Sequence, residues 1–167
     1  KPEWKNYTFS FKARAPKNAD QVQIWASFRN YNRFDRYVVG IKGGLQDDLY
    51  LMRTGYMGTD EFMGVRPLGF HPVPGEWYRM KVEVCGNRIR IFLNDEQPHI
   101  DITDNNANLV PLGEIGLGGG WIETEFDDLT VTPMADNALK DVKVAEYQQK
   151  ATPAEKEEKR RQERAAY

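Results

Sequence analysis

Two strands joined by a tight turn are encoded by residues 75–94, GEWYRMKVEVCGNRIRIFLN. The turn is Gly86–Asn87, a two-residue loop that suits the right-handed twist of a β-hairpin. Counting outward from the turn places six apolar residues on one face, in the pairs Val84 with Ile89, Val82 with Ile91, and Met80 with Leu93. The opposite face of the hairpin carries mostly charged residues, together with Cys85 and Phe92, so it is predicted to face water.

The composition excludes several function classes. The 167 residues allow one domain plus an appendage, and the net charge of -2 gives no basic field for nucleic acid. No apolar run approaches the roughly 20 residues of a membrane span. The single cysteine excludes an internal disulfide, and Cys/His spacing of the zinc-site type is absent.

Further strands are predicted by alternation of apolar and polar residues along the chain. Residues 54–74 are rich in Gly, Met and Pro and are predicted to form a long loop containing a short strand. Residues 101–108 are predicted to be a polar loop. Short strands at this spacing indicate an all-β antiparallel sandwich or jelly roll. The remaining predicted strands cover residues 7–14, 22–29, 36–42, 49–53, 114–117 and 126–131.

The chain changes character after Pro133. Residues 134–151 lack strand alternation and are interpreted as a linker. Thr152 to Glu155 form a capping box with Pro153 at the first helical position, so residues 152–167 are predicted to form a charged helix. A helix without an apolar stripe is typical of a spacer that leads to a further module.

Four segments together resemble the concanavalin A-like lectin/glucanase superfamily, in its carbohydrate-binding and laminin-G-like branch. They are WKNYTF at 4–9, the hairpin at 75–94, GEIGL at 113–117 and FDDLTV at 126–131. The resemblance implies a two-sheet antiparallel jelly-roll sandwich over residues 1–133, with one sheet concave.

The resemblance departs from its pattern at the start of the chain. Relatives of this type have an opening strand before the Trp-x-x-Tyr strand, whereas here only three residues precede Trp4. The sandwich is therefore expected to lack its opening strand, which a missing N-terminal segment or another part of the protein supplies. Such modules are attached to glycoside hydrolases and other secreted, periplasmic or cell-surface bacterial proteins, so an adjoining catalytic domain is expected.

Sugar binding requires aromatic rings to stack on the sugar and polar groups to bond its hydroxyls. Trp25 and Arg29 are predicted to share the outward face of one strand, and Trp121 and Glu123 follow a Gly-rich turn. Trp4 and Trp77 are predicted to be core residues, and the alternative for Trp25 is a place in a seam. The candidate ligand-binding residues are Trp25, Arg29, Tyr31, Asn32, Arg36, Trp121 and Glu123.

Asp127 and Asp128 are candidate ligands of a structural Ca²⁺ ion, which the resemblance implies at this strand. As neighbours on a strand they are predicted to point to opposite faces, and two carboxylates alone supply too few oxygens for calcium. Glu123, Glu125 and Asp127 share one face of a regular strand, which leaves glycoside hydrolysis open as a further alternative. Cys85 is interpreted as an incidental thiol.

Three functional hypotheses follow. The leading one is a non-catalytic carbohydrate-binding or accessory domain of a bacterial glycoside hydrolase or glycan-uptake complex, with an oligo- or polysaccharide as partner. The second is a structural module that docks on a neighbouring domain and binds no sugar. The third is a small glycoside hydrolase. An exposed ring-lined groove favours the first hypothesis, and a covered face with Trp25 buried favours the second.

Overall fold

A computed structural model describes residues 4–32, 34–42, 46–55, 60–106, 109–139 and 161. Within them the chain forms a β-sandwich. Its strands are β1 (Tyr7–Arg14), β2 (Gln23–Asn30), β3 (Arg36–Lys42), β4 (Asp48–Thr54), β5 (Glu61–Pro67), β6 (Tyr78–Cys85), β7 (Arg88–Leu93), β8 (Ile100–Thr103), β9 (Glu114–Gly118) and β10 (Glu125–Pro133).

The strands form two antiparallel five-stranded sheets. The first sheet has the order β10-β1-β6-β7-β8, and the second has the order β5-β4-β3-β2-β9. This arrangement confirms the predicted all-β two-sheet sandwich. The Trp-x-x-Tyr strand β1 itself pairs with the closing strand β10, in the place where the opening strand was expected. Most of the predicted linker and helix lies outside the described residues, apart from residues 134–139 and Arg161, which is helical.

The core lies between the inner faces of the two sheets. Phe9 of β1 contacts Phe28 of β2 across the sandwich, with ring centroids 5.8 Å apart, and Phe28 stacks on Tyr37 at 5.2 Å. Both phenylalanines are fully buried. Trp4 packs against this core, as predicted, with its ring edge-on to Tyr7.

The hairpin forms β6 and β7 in the predicted register, in which Val82 pairs with Ile91 and Val84 with Ile89. The expectation that the opposite face is open to water is wrong at two positions, because Cys85 and Phe92 are buried. The Cys85 thiol lies under the turn that follows β10 and contacts the Asp136 carbonyl oxygen at 3.2 Å. The Phe92 ring lies under the Lys81 ammonium group, which is 3.9 Å from the ring centroid.

Two strands show the limits of the alternation pattern. The short strand predicted within residues 54–74 is confirmed as β5. The prediction of a polar loop at 101–108 is wrong in its first part, because residues 101–103 belong to β8, which pairs with β7. Asp101 and Thr103 are exposed edge-strand residues, so their polarity does not oppose strand formation.

A buried polar network closes one end of the sandwich. Tyr37 donates a hydrogen bond to Asp104 at 2.6 Å, and the Arg53 guanidinium binds the same carboxylate at 2.7 Å. Burial raises the pKa of the Tyr37 hydroxyl, and the Asp104 charge raises it further. The network holds the loop after β8 against β3 and β4.

Candidate ligand-binding face

Three aromatic residues lie on the outer face of the second sheet and form what we call the aromatic strip: Trp25, Tyr50 and Phe62. Trp25 of β2 pairs with Gly40 of β3, which in turn pairs with Tyr50 of β4. Tyr50 contacts Phe62 of β5 edge-on, with ring centroids 6.0 Å apart. The strip therefore runs across the strands, and Phe62 is 52% exposed.

Glycines on the neighbouring strands allow these rings to lie along the sheet. A Cβ atom at Gly118 of β9 would lie 2.2 Å from the Trp25 ring, and a Cβ at Gly40 would lie 2.6 Å from the Tyr50 hydroxyl. No real side chain tolerates such distances. The Trp25 ring thus occupies the space over β9, and the Tyr50 ring occupies the space over β3.

Polar groups continue the same face beyond Trp25. Ser27 is the next outward residue of β2, and it accepts a hydrogen bond from the Asn30 amide at 3.0 Å. Arg36 lies at the same end of β3 and is half-buried. The Asn30 Oδ1 and Arg36 Nε atoms are buried without a hydrogen-bond partner in the described structure. Such unsatisfied atoms are rare in native proteins and need an explanation.

Lys42 lies at the opposite end of β3. Its ammonium group is 4.8 Å from the Phe62 ring centroid and 5.5 Å from that of Tyr50, which is the geometry of a cation–π contact. Burial raises the pKa of the Tyr50 hydroxyl, and the nearby Asp48 carboxylate raises it further. The aromatic strip thus lies between two cationic side chains, Arg36 and Lys42.

Trp121 extends this face at the start of β2. Its side chain is 95% exposed. The turn that carries it is held by the Trp121 backbone N–H, which donates to Gln23 Oε1 at 3.0 Å, and by Thr124, whose hydroxyl donates to the Gln23 carbonyl at 3.1 Å. The turn is therefore anchored two residues from Trp25 along β2.

Arg29 is not on this face, and the prediction of an outward side chain is wrong. Its backbone adopts φ = 47° where the pairing of β2 with β9 shifts register, and this irregularity turns the side chain inward. The guanidinium is fully buried and donates to the carbonyls of Lys5 (2.8 Å), Val110 (3.1 Å) and Gly86. Burial lowers its pKa. Arg29 is thus a structural residue without a surface for a ligand.

The other candidate loop residues are placed as follows. The side-chain Oδ1 atom of Asn32 accepts from the backbone N–H of Phe34 and of Asp35, and its Nδ2 atom donates to the Asp35 carboxylate, so Asn32 shapes the β2–β3 loop. Tyr31 packs against the core. Glu123 is exposed in the turn beside Trp121.

Trp77 is exposed, so its prediction as a core residue is wrong. The side chain is 40% exposed, and the Arg14 guanidinium lies 4.5 Å from the ring centroid. Trp77 directly precedes Tyr78, whose side chain is buried, and successive side chains of a strand point to opposite faces.

Asp127 and Asp128 lie at a bulge in β10, so the prediction that they point to opposite faces is wrong. Asp127 pairs with Lys12 in the register, and Asp128, with φ = 52°, also reaches the Lys12 ammonium at 2.6 Å. The Lys12 hydrogen bond lowers the pKa of the Asp128 carboxyl. Among the described residues, no three His, Cys, Asp or Glu side chains are grouped for a metal ion.

Two of the three acidic residues considered for hydrolysis, Glu125 and Asp127, lie away from the aromatic strip. Glu125 binds Arg14 on the outer face of the first sheet. Asp127 lies on that same face, opposite Lys12, whereas Glu123 belongs to the preceding turn. Glu125 and Asp127 thus lie next to basic residues of the first sheet, whereas Glu123 is exposed in the turn beside Trp121.

A separate pocket of about 410 Å³ lies near the start of β1, lined by Trp4, Asn6, Val131 and Asp136 among others. The Asn6 amide is already engaged there, since it donates to Asp136 at 2.6 Å and accepts from the Gly86 N–H at 2.7 Å. In the described parts of the chain, no helix has the length and apolarity needed to cross a membrane.

Sequence reasoning missed Tyr50 and Phe62. The alternation of Leu49, Tyr50, Leu51 and Met52 places Tyr50 opposite the core-facing leucines, and this signal predicts its outward position. Phe62 carried no such signal, because β5 lies at a sheet edge where most residues are exposed.

Comparisons with known proteins agree on the fold. No protein-family profile and no curated protein sequence matches this chain. Among solved structures, the carbohydrate binding module CBM66 from Bacillus subtilis aligns with a TM-score of 0.63 at 17% identity, covering 77% of this chain and 76% of that one. Chicken galectin 2 aligns with a TM-score of 0.59 at 13% identity, covering 78% and 94%. Sheep galectin-11, in complex with glycerol, aligns with a TM-score of 0.55 at 12% identity, covering 78% and 94%. At these identities the likeness establishes the jelly-roll sandwich.

Proposed function

We propose that this chain is a carbohydrate-binding, lectin-like domain that binds glycan on the outer face of its second sheet. The observation that carries the proposal is the aromatic strip with hydrogen-bonding groups at its end. Aromatic rings stack on the C–H faces of sugars, while planar polar groups bond the hydroxyls. The strip offers Trp25 for stacking, and the half-buried Asn30 and Arg36 at its end for hydrogen bonds.

The similar structures support the same proposal, since one is named a carbohydrate binding module and others are named galectins. We extend the proposal to membership of the concanavalin A-like superfamily and to an accessory role in a larger, secreted or surface-bound bacterial glycan-degrading protein. The Bacillus subtilis module supports the bacterial context. An adjoining catalytic domain would then supply the hydrolytic step.

The test is a glycan-array screen of the intact chain with Trp25→Ala and Trp121→Ala. Covering about 60 Å² of ring at about 25 cal/mol per Å² contributes about 1.5 kcal/mol, which is roughly tenfold in affinity. We expect Trp25→Ala to weaken binding by at least that factor and Trp121→Ala to weaken it less, because only Trp25 lies within the strip.

Trp77→Ala is the matched control, since Trp77 is also a partly exposed tryptophan but lies at the end of the first sheet. It is expected to bind as the unmodified chain does. A folded chain that binds no glycan contradicts the proposal and favours the docking-module hypothesis. Repeating the screen with calcium and with a chelator tests the predicted Asp127 and Asp128 site.

A further inference from the structure

Arg36 is half-buried and has no ion pair within the described parts of the chain, whereas Arg90, whose Nε atom is also buried without a hydrogen-bond partner, has ion pairs with Glu83 and Asp101. The Nε atom of Arg36 is shielded from solvent without a hydrogen-bond partner among the described residues. Burying part of an unpaired charge is unfavourable, so buried charges in native proteins are ordinarily paired.

The neighbouring carboxylates do not neutralise Arg36. Asp35, next to it in sequence, is buried and accepts a hydrogen bond from Asn32 at 2.6 Å. Glu114 lies on β9, beyond Asn30 of β2, and is exposed. Asp48 lies at the other end of the face beside Tyr50. Arg36 therefore has no ion-pair partner among the described carboxylates around it.

A second unsatisfied group lies at the same end. The amide nitrogen of Asn30 is bonded to Ser27, which leaves its buried Oδ1 atom as a free acceptor in the described structure. The two groups have complementary requirements, because Arg36 offers donors to an anion and Asn30 accepts from a hydroxyl. A sugar ring that carries a carboxylate next to a hydroxyl meets both requirements.

We propose that the glycan bound by this face is acidic, and that Arg36 binds the carboxylate of a uronic acid, while rotation of the half-buried Asn30 side chain lets its Oδ1 atom accept from the adjacent hydroxyl. The inference rests on the proposed function, since it names the substrate class of the same face. A guanidinium binds a planar carboxylate through two parallel hydrogen bonds, which makes the contact selective as well as strong. Trp25 then stacks a neighbouring ring of the same chain.

The experiment uses galacturonate, glucuronate and mannuronate oligosaccharides, each paired with its own methyl ester. The ester keeps the sugar rings, their hydroxyls and the length of the oligosaccharide, but it removes the negative charge of the carboxylate. Titration of the intact chain at about 0.15 M salt gives the ratio of the two dissociation constants for each pair. For at least one pair we expect the acid to bind about tenfold tighter or more, the scale of a hydrogen bond to a charged group.

Two variants locate the effect. Arg36→Gln is expected to bring the ratio close to one. Arg66→Gln is the matched control, because Arg66 is an exposed arginine of the same sheet whose guanidinium contacts only the Val65 carbonyl among its described partners. It removes the same charge and is expected to keep the ratio, which separates a direct contact from long-range attraction.

The outcomes distinguish the two proposals. Equal binding of acids and esters, still sensitive to Trp25→Ala, overturns the acidic substrate and leaves glycan binding intact. A ratio that survives Arg36→Gln, or that falls equally in Arg66→Gln, overturns the role of Arg36. Tighter binding of a sulfated neutral oligosaccharide than of any uronate overturns the carboxylate. Binding to no sugar of the panel overturns this inference, and the wider array then decides the proposed function.

Discussion

The outer faces of the two sheets are built on different principles. On the first sheet, basic and acidic residues pair with one another: Lys12 with Asp128 at 2.6 Å, Arg88 with Asp101 at 2.9 Å, and Arg14 with Glu125. On the second sheet, rings lie over glycines, and Arg36 and Asn30 keep unsatisfied atoms. The first face is covered largely by ion pairs between its own side chains, although the Arg90 Nε atom has no hydrogen-bond partner among the described residues, whereas the second face carries aromatic rings with unsatisfied polar atoms at one end.

The turn after β10 adds to this difference. It crosses the first sheet, where Leu139 is buried and its carbonyl accepts from Arg88 at 3.0 Å. The second sheet exposes Phe62, and the turn beside β2 exposes Trp121, while the first sheet exposes Leu129 and, at its end, Trp77. Exposed aromatic surface next to unpaired polar groups is typical of a binding site, while a surface of mutual ion pairs is typical of a solvated exterior.

The comparison is tested most strongly by two arginines at one end of the second sheet. Arg29 lies beneath the face and holds the carbonyls of Lys5, Gly86 and Val110. Arg29→Met leaves these acceptors without a donor, so we expect the free energy of unfolding to fall by on the order of 3–5 kcal/mol. Urea denaturation of the variant measures the loss.

Arg36→Met is the control for that experiment, since it removes an arginine from the face itself. We expect a change within about 0.5 kcal/mol, because Arg36 has no described partner to lose. A loss from Arg36→Met as large as that from Arg29→Met would mean that the face serves stability, and the contrast between the two sheets would then fail.

The close approach of the Trp25 ring to Gly118 provides a test of the outer face of the second sheet. In Gly118→Ala the new methyl group would lie only 2.2 Å from the Trp25 ring, so the ring must move. We expect glycan affinity to fall about tenfold and stability to fall by about 1 kcal/mol. Tryptophan fluorescence reports the displaced ring, and titration reports the affinity.

Gly116→Ala is the matched control, two residues earlier on the same strand. Its Cβ would lie 2.9 Å from the Ser27 hydroxyl rather than against a ring. It is expected to leave the tryptophan fluorescence unchanged. If Gly118→Ala keeps both the fluorescence and the affinity of the unmodified chain, Trp25 does not act as the stacking platform.

The sequence predicts the fold better than the site, for a physical reason. Alternation with period two determines which side chains of a regular strand face the core, and the pairing of Val82 with Ile91 follows from the turn alone. That rule fails wherever one residue is inserted. Arg29 and Asp128 both have positive φ values at irregularities in the pairing, and both point where alternation does not place them.

The site also depends on contacts between distant segments. Trp25 was predicted to face outward, and it does so, but its place over Gly118 requires β9 to pair with β2. Phe62 joins the aromatic strip only through the pairing of β5 with β4. Strand order is a property of the whole chain, so no local pattern reveals these neighbours.

The smallest effect is expected from the ion pairs of the first sheet. The hydrogen bond from Arg88 lowers the pKa of the Asp101 carboxyl, and the charges of Arg88 and Arg90 lower it further. A carboxyl with a lowered pKa stabilises the fold above its unfolded value of about 3.9, and this contribution is lost as the pH falls through the folded pKa. Because Asp101 is 33% exposed, solvent screening limits the contribution to about 0.5 kcal/mol. Asp101→Asn should therefore be less stable than the unmodified chain at pH 7 and equally stable near pH 2, as measured by urea denaturation.

Asp20→Asn, at an exposed carboxylate outside the strands, makes the same charge change and is expected to show no such gap. A gap for Asp101→Asn that does not depend on pH would mean that packing, rather than charge, accounts for it. Neither variant should alter glycan affinity, because both residues lie away from the second sheet. If Asp101→Asn weakens glycan binding while the fold is retained, the first sheet takes part in recognition, and the division of roles between the two faces is wrong.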